Sequence, residues 1–162
     1  MSVSVIIPLY NGRSYIGAAI DSILAQTLPA DEVIIVDDGS SDGGEKIVAG
    51  YGSAVRLLRQ KNSGAPVALN AGMRVARGDM VAFLDHDDLW MPQKLALQCA
   101  ALDEDPSLDG VFGHAQVFLS EDSAAAGARY VVPGTPLRGL NKSSMLARRA
   151  AFDRFGMFDE SL

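Results

Sequence analysis

Apolar residues follow two alternating rhythms along much of the chain. Four short runs rich in Val, Ile, Leu and Phe, at 3–9, 32–37, 55–59 and 80–84, read as strands, and the segments between them repeat their apolar positions at helical spacing. Ile16, Ile20, Ile23 and Leu24 fall at i, i+4, i+7 and i+8, which predicts a helix over 14–26 with Ser14 as its N-cap. A short helix follows Ser40-Ser41-Asp42 and ends near 50–52. A third starts around Pro66, buries Leu69, Gly72, Met73 and Ala76 on one face and stops at Gly78. A fourth, over 92–102, puts Leu95, Ala96, Cys99 and Leu102 in one stripe, so Cys99 is read as packing. Downstream, 111–119 reads as a strand, 120–127 as a mobile polar loop, 144–147 as a short strand and 148–155 as a helix.

Alternation of this kind builds βαβ units, so the expected architecture is one α/β domain over 1–162, with a mostly parallel central sheet and helices on both faces. Polar residues then collect at the carboxyl ends of strands. They are Pro8-Leu9-Tyr10-Asn11-Gly12 after the first, Asp37-Asp38-Gly39-Ser40 after the second and Asp85-His86-Asp87-Asp88 after the fourth. In an open α/β sheet that edge is where ligands bind.

Three carboxylates at 85, 87 and 88 need an explanation. At an effective dielectric of ~20 and a spacing of ~5 Å, two of them repel by roughly 3 kcal/mol. A solvated loop with Asp88 capping the next helix accounts for one carboxylate, whereas a divalent cation accounts for the group. Mg²⁺ or Mn²⁺ held by one or two carboxylates, with phosphate oxygens and water completing the shell, fits a protein that handles a nucleotide diphosphate. Asp37 and Asp38 have a plainer alternative, because Asp-Asp-Gly-Ser is also ordinary turn and N-cap sequence.

Composition narrows the ligand. The 162 residues are 48% apolar, enough for one core, and the formal charge of −6 argues against a nucleic-acid partner. An anionic ligand must then be held by metal or backbone dipoles. The single cysteine excludes a disulfide within the chain, and the two histidines offer no zinc spacing. No apolar stretch reaches the ~20 residues of a membrane span, and the N-terminus runs straight into a strand, so neither a signal peptide nor an anchor is expected. Neither Gly-x-Gly-x-x-Gly nor Gly-x-x-x-x-Gly-Lys-Ser/Thr occurs, which removes the dinucleotide and P-loop sites. A receiver domain would need an acidic pair where Tyr10-Asn11 stands, and a nucleotidyltransferase a basic Gly-rich loop there.

With these residues in view, the chain resembles the family 2 glycosyltransferases of the GT-A (Rossmann-like) fold. Ser4-Val5-Ile6-Ile7-Pro8-Leu9-Tyr10-Asn11 is similar to the family's opening strand, and Val36-Asp37-Asp38-Gly39-Ser40-Ser41-Asp42 to its second-strand motif. Asn62-Ser63-Gly64 with Ala68-Leu69-Asn70-Ala71-Gly72 resembles the third-helix motif, and Phe83-Leu84-Asp85-His86-Asp87-Asp88-Leu89-Trp90 the metal-binding DxD segment. Phe155-Gly156-Met157-Phe158-Asp159-Glu160 resembles the signature that precedes the catalytic base.

The resemblance implies an inverting transfer of a sugar from a nucleotide diphosphate donor, with UDP or dTDP favoured, to an acceptor hydroxyl on a glycan, a lipid-linked glycan or a protein. It implies a nucleotide site of Pro8, Tyr10, Asp38 and Asp85. Tyr10 would pack on the base, although it also reads as an exposed loop aromatic; Asp38 would accept the imide N–H, and Asp85 would lie by the ribose and pyrophosphate. Asp87, with Asp85, would hold Mg²⁺ or Mn²⁺, while Asp88 reads equally as a helix cap. His86 is expected to face solvent, Asn62 and Asn70 to brace loops, and Trp90, Pro92 and Lys94 to fix the helix after the metal loop. Leu69 stands where many members carry Arg, so the resemblance does not carry over a pyrophosphate contact from that side. The base is expected beyond Leu162, so 1–105 would form the donor-binding part and 106–162 an incomplete acceptor part. A nucleotide-sugar-binding module that does no transfer is the alternative. The protein is expected in the cytoplasm or at the inner face of the membrane, with membrane association only through chain outside these residues.

Overall fold

The computed structural model describes residues 1–119 and 134–161. In chain order its strands are β1 (Val3–Leu9), β2 (Glu32–Asp37), β3 (Arg56–Arg59), β4 (Met80–Phe83), β5 (Gly110–Phe112), β6 (His114–Ala115), β7 (Leu137–Arg138) and β8 (Met145–Arg148). The helices are α1 (Ile16–Leu24), α2 (Gly44–Ala49), α3 (Ala65–Val75), α4 (Lys94–Glu104) and α5 (Arg149–Phe155). Among the described residues one sheet runs in the order β3-β2-β1-β4-β8-β5. β3, β2, β1 and β4 are mutually parallel, whereas β8 runs antiparallel to both β4 and β5. The mostly parallel sheet is therefore present, with an antiparallel return at one side.

β1 is buried along its whole length because both of its faces are covered. Val3, Val5, Ile7 and Leu9 join Ile16, Ile20 and Ile23 of α1 and Leu95 and Leu102 of α4 in one apolar layer. Ile6 points the other way, with Ile34, Val36 and Phe83 against Ala68, Leu69 and Met73 of α3. Each such side chain, fully buried, contributes about 2 kcal/mol of transfer free energy. Gly72 sets the separation on the second face, since a Cβ there would come 2.5 Å from Ile6 Cγ2.

Strand order places the site. From β1 the chain steps outward through β2 to β3, then returns to lay β4 on the opposite side of β1. The crevice of an open α/β sheet lies at that reversal, outside the carboxyl ends of β1 and β4.

Several expectations change in detail. α1 begins at Ile16 with Tyr15 as its N-cap and no side-chain cap, because the Gly12 carbonyl accepts from the amides of Tyr15 and Ile16. Ser14 is thus not the cap. α4 starts at Lys94, and Gln98 takes the place expected for Ala96 among its buried residues. The strand expected over 111–119 ends at Phe112: the amide of Gly113 turns to the Ser144 carbonyl, and β6 pairs with β7 in a separate two-stranded ribbon. The loop expected over 120–127 lies outside the described residues. No helix among the described residues is long and apolar enough to cross a membrane.

Candidate functional site

The loops after β1 and β2 are stitched together before any ligand is considered. Asn11 adopts φ 50°, and its side-chain Oδ1 accepts from the Ser41 amide at 2.9 Å while its own amide donates to Ser40 Oγ at 3.0 Å. Tyr10, the residue between this clasp and β1, is half-exposed. Pro8 is buried within β1, in register with Val36.

Asp37 and Asp38 are both buried. Asp37 Oδ1 accepts from the Ser40 amide at 2.9 Å. Arg59 Nε lies 3.1 Å from Oδ2, close enough to pair but not aimed at it, so Oδ2 has no hydrogen-bond donor. Asp38 is the more tightly held. Its Oδ1 accepts from Gln60 Nε2 at 2.8 Å and the Ser63 amide at 2.9 Å, and its Oδ2 from the Gly64 amide at 2.9 Å. Turn chemistry alone does not require this, since the donors lie 22 to 26 residues away in the loop that enters α3.

The loop after β4 is held differently. The Asp85 amide donates to Ser143 Oγ at 3.1 Å, that hydroxyl lies 3.2 Å from Asp85 Oδ2, and Lys142 Nζ lies 2.7 Å from the same oxygen. Lys142 and Ser143 belong to a 3-10 turn, Lys142–Ser144, which β8 delivers to the end of β4. Trp90, buried, donates Nε1–H to the Ser143 carbonyl at 2.7 Å. Asp87 is exposed, and the Asp88 amide closes a turn on the Asp85 carbonyl. Asp88 does not cap α4, whose N-cap is Gln93.

His86, expected to face solvent, is only partly exposed. Its Nδ1 lies 3.3 Å from the Pro8 carbonyl oxygen, and its ring covers Gly12 so closely that a Cβ there would come within 2.1 Å of it. A glycine at 12 therefore lets the first and fourth loops close on each other. Asn70 braces the C-terminal segment, exchanging hydrogen bonds with the amide and carbonyl of Phe158 and donating to Glu160 Oε1. The hydrogen bonds from Asn70 and Arg74 hold the Glu160 carboxyl below the ordinary carboxylate range. That makes it a poorer proton acceptor. Among the described residues no three His, Cys, Asp or Glu side chains are gathered as an all-protein cation cage.

Residues 4–152 match the model of the Glycosyl transferase family 2. The chain belongs to this family. An uncharacterized glycosyltransferase of Rickettsia felis is 34% identical across 99% of this chain, which spans only 29% of that protein. The putative teichuronic acid biosynthesis glycosyltransferase TuaG of Bacillus subtilis is 45% identical over 59% of this chain and 40% of its own length. Residues 1–349 of S. aureus TarS, solved in complex with UDP, superpose with a TM-score of 0.78 at 28% identity, covering all of this chain and 51% of that one. The mannosyltransferase PcManGT of Pyrobaculum calidifontis, solved with GDP-Man and Mn²⁺, gives 0.73 at 26% identity, over 99% and 48%. The fold of this glycosyltransferase family 2 domain is thus GT-A.

Sequence reasoning missed Lys142, Ser143 and Gln60. Gln60 at least precedes the Asn62-Ser63-Gly64 motif, whereas Lys142 had no signal, being 57 residues from its partner and brought there by antiparallel pairing of β8.

Proposed function

We propose that this domain binds a UDP- or dTDP-sugar and serves an inverting transfer of the sugar to an acceptor hydroxyl in cell-envelope polysaccharide or glycan synthesis. The observation that carries this is Asp38, buried and fixed by three donors beside half-exposed Tyr10 at the crevice. A carboxylate set in this way can accept a base's imide N–H through Oδ2, which takes one protein donor. Tyr10 offers a ring for the base to pack on, and Pro8 shapes the strand end beneath it. Asp85 stands toward the ribose and diphosphate. The bound UDP of TarS and the teichuronic acid assignment of TuaG support the donor and the process.

Asp85 and Asp87 would hold Mg²⁺ or Mn²⁺. Asp85 Oδ2 already takes a cationic partner, and Asp87 is open to solvent, which suits a cation shared between two carboxylates, diphosphate and water. When bound, the metal supplies charge neutralisation for the leaving diphosphate. The acceptor's proton would go to a carboxylate beyond Leu162; Glu160 is already engaged by Asn70 and Arg74. Calorimetric titration of UDP and dTDP with Mn²⁺, then with EDTA, tests this. Metal-dependent binding that Asp87→Ala loses is expected, and a folded wild type that binds neither nucleotide would overturn the proposal.

A further inference from the structure

Among the described residues Lys142 is the one cation paired with a carboxylate of the β4 loop, and its surroundings let it leave. We propose that Lys142 and the divalent cation compete for Asp85, and that the displaced ammonium pairs with the donor's diphosphate. The inference rests on the donor-binding role proposed above and adds a diphosphate-binding residue to it.

The competition follows from Lys142 Nζ lying 2.7 Å from Asp85 Oδ2. A divalent cation sharing that oxygen would sit against a like charge at close range, so one of the two must go. The ammonium has somewhere to go and a way to get there. Its side chain is 29% exposed, its partner's 32%, and its four-carbon stem turns freely about a fixed root. The root is fixed by Asn141 Oδ1, which accepts from the Ser144 amide at 3.0 Å, and by the Trp90 indole on the Ser143 carbonyl. Asp85 keeps its place after the exchange, because Ser143 Oγ still binds its amide.

Several other cations are engaged elsewhere. Arg13 donates to the Asp42 carbonyl, Arg59 Nε lies 3.1 Å from Asp37 Oδ2, Arg74 pairs with Glu160, and Lys94 donates to Gln98 and the Met145 carbonyl. In a chain of net charge −6, a diphosphate gains from each local cation that can turn toward it.

The exchange can be separated from a merely structural clip. A clip would loosen the loop when removed and weaken metal binding, whereas a competitor would strengthen it. Mn²⁺ alone is titrated into wild type and Lys142→Met with free Mn²⁺ read by electron paramagnetic resonance; UDP, dTDP and GDP are then titrated at saturating Mn²⁺, with Lys142→Arg as the charge-preserving control. Lys142→Met is expected to bind Mn²⁺ about 5-fold more tightly and the nucleoside diphosphate about 10-fold more weakly, with Lys142→Arg near wild type in the second measurement. Unchanged or weaker Mn²⁺ binding by Lys142→Met, or unchanged nucleotide binding, would overturn the role of Lys142 while leaving the donor site intact. A wild type that binds none of the three nucleotides would overturn both readings.

Discussion

Two acidic loops flank β1, and they hold their carboxylates in opposite ways. Asp37, the last residue of β2, and Asp38 just after it are buried and take hydrogen bonds from backbone and Gln60 donors. Asp85 and Asp87, after β4, are half-buried and exposed, and the charge of Asp85 is met by one lysine and one serine. The difference matters for what each loop can do. A carboxylate that is to accept a neutral N–H works best desolvated and fixed beforehand, so that binding spends nothing on ordering it. A carboxylate that is to take a cation must keep its partner exchangeable.

The largest effect expected from breaking this contrast lies in the first loop. Asp38→Ala would strip the acceptor from the Ser63 and Gly64 amides and from Gln60. The three bonds are part-buried and Ser63 is exposed, so water recovers some of what is lost, and a loss of about 2.5 kcal/mol in urea unfolding is expected, together with loss of nucleotide binding. A variant as stable as wild type would mean that the first loop is no more rigid than the second. Asp87→Ala sharpens the contrast from the other side. Being exposed, Asp87 should leave stability within about 0.5 kcal/mol, while metal-dependent nucleotide binding drops about 100-fold in calorimetry. A destabilised Asp87→Ala protein would show this loop to be structural after all.

Legibility followed the same division. Strand positions and the three strand ends were readable because β1, β2 and β4 are buried on both faces and so run almost without polar interruption. Asp38 was readable as a candidate, but its fixed geometry was not, since Gln60, Ser63 and Gly64 reach it only once β3 lies beside β2. The β4 loop was readable only in part. Three aspartates stood out, yet Lys142 arrives through β8, whose antiparallel return breaks the βαβ rhythm. His86 was read only in part, because nothing in the local sequence shows that Gly12 would pack beneath its ring. The strand expected over 111–119 failed at Gly113, whose amide and carbonyl are both used to tie the ribbon to the turn before β8.

A smaller effect is expected from Trp90→Phe, which keeps the ring and removes the donor to the Ser143 carbonyl. A loss of about 1.5 kcal/mol in stability should come with a few-fold weaker nucleotide affinity in Mn²⁺, because the turn that holds Asp85 loses its anchor. Lost stability with unchanged affinity would uncouple Trp90 from the site.

The smallest predicted effect concerns pH. Lys94 Nζ lies 4.0 Å from the Trp90 ring centroid and donates to Gln98 Oε1 and the Met145 carbonyl, but no carboxylate among the described residues pairs with it. Burial pushes its ammonium down to about 7 from an ordinary 10.5. Between those values the unfolded chain keeps a proton that the folded protein has released. Stability is therefore lowest below pH 7 and rises with pH above it, by about 1 kcal/mol from pH 7 to 8. That window stops short of the unfolded Cys99 thiol, at about 8.5; burial pushes the folded thiol up, so above that value Cys99 works against the rise. Lys94→Met should pack on the indole without a charge to desolvate, lose most of this slope in urea unfolding and leave the Asp38 loop untouched. The same slope in wild type and variant would assign the proton to another group, and the support beneath the β4 loop would then be no more sensitive to pH than that beneath β2.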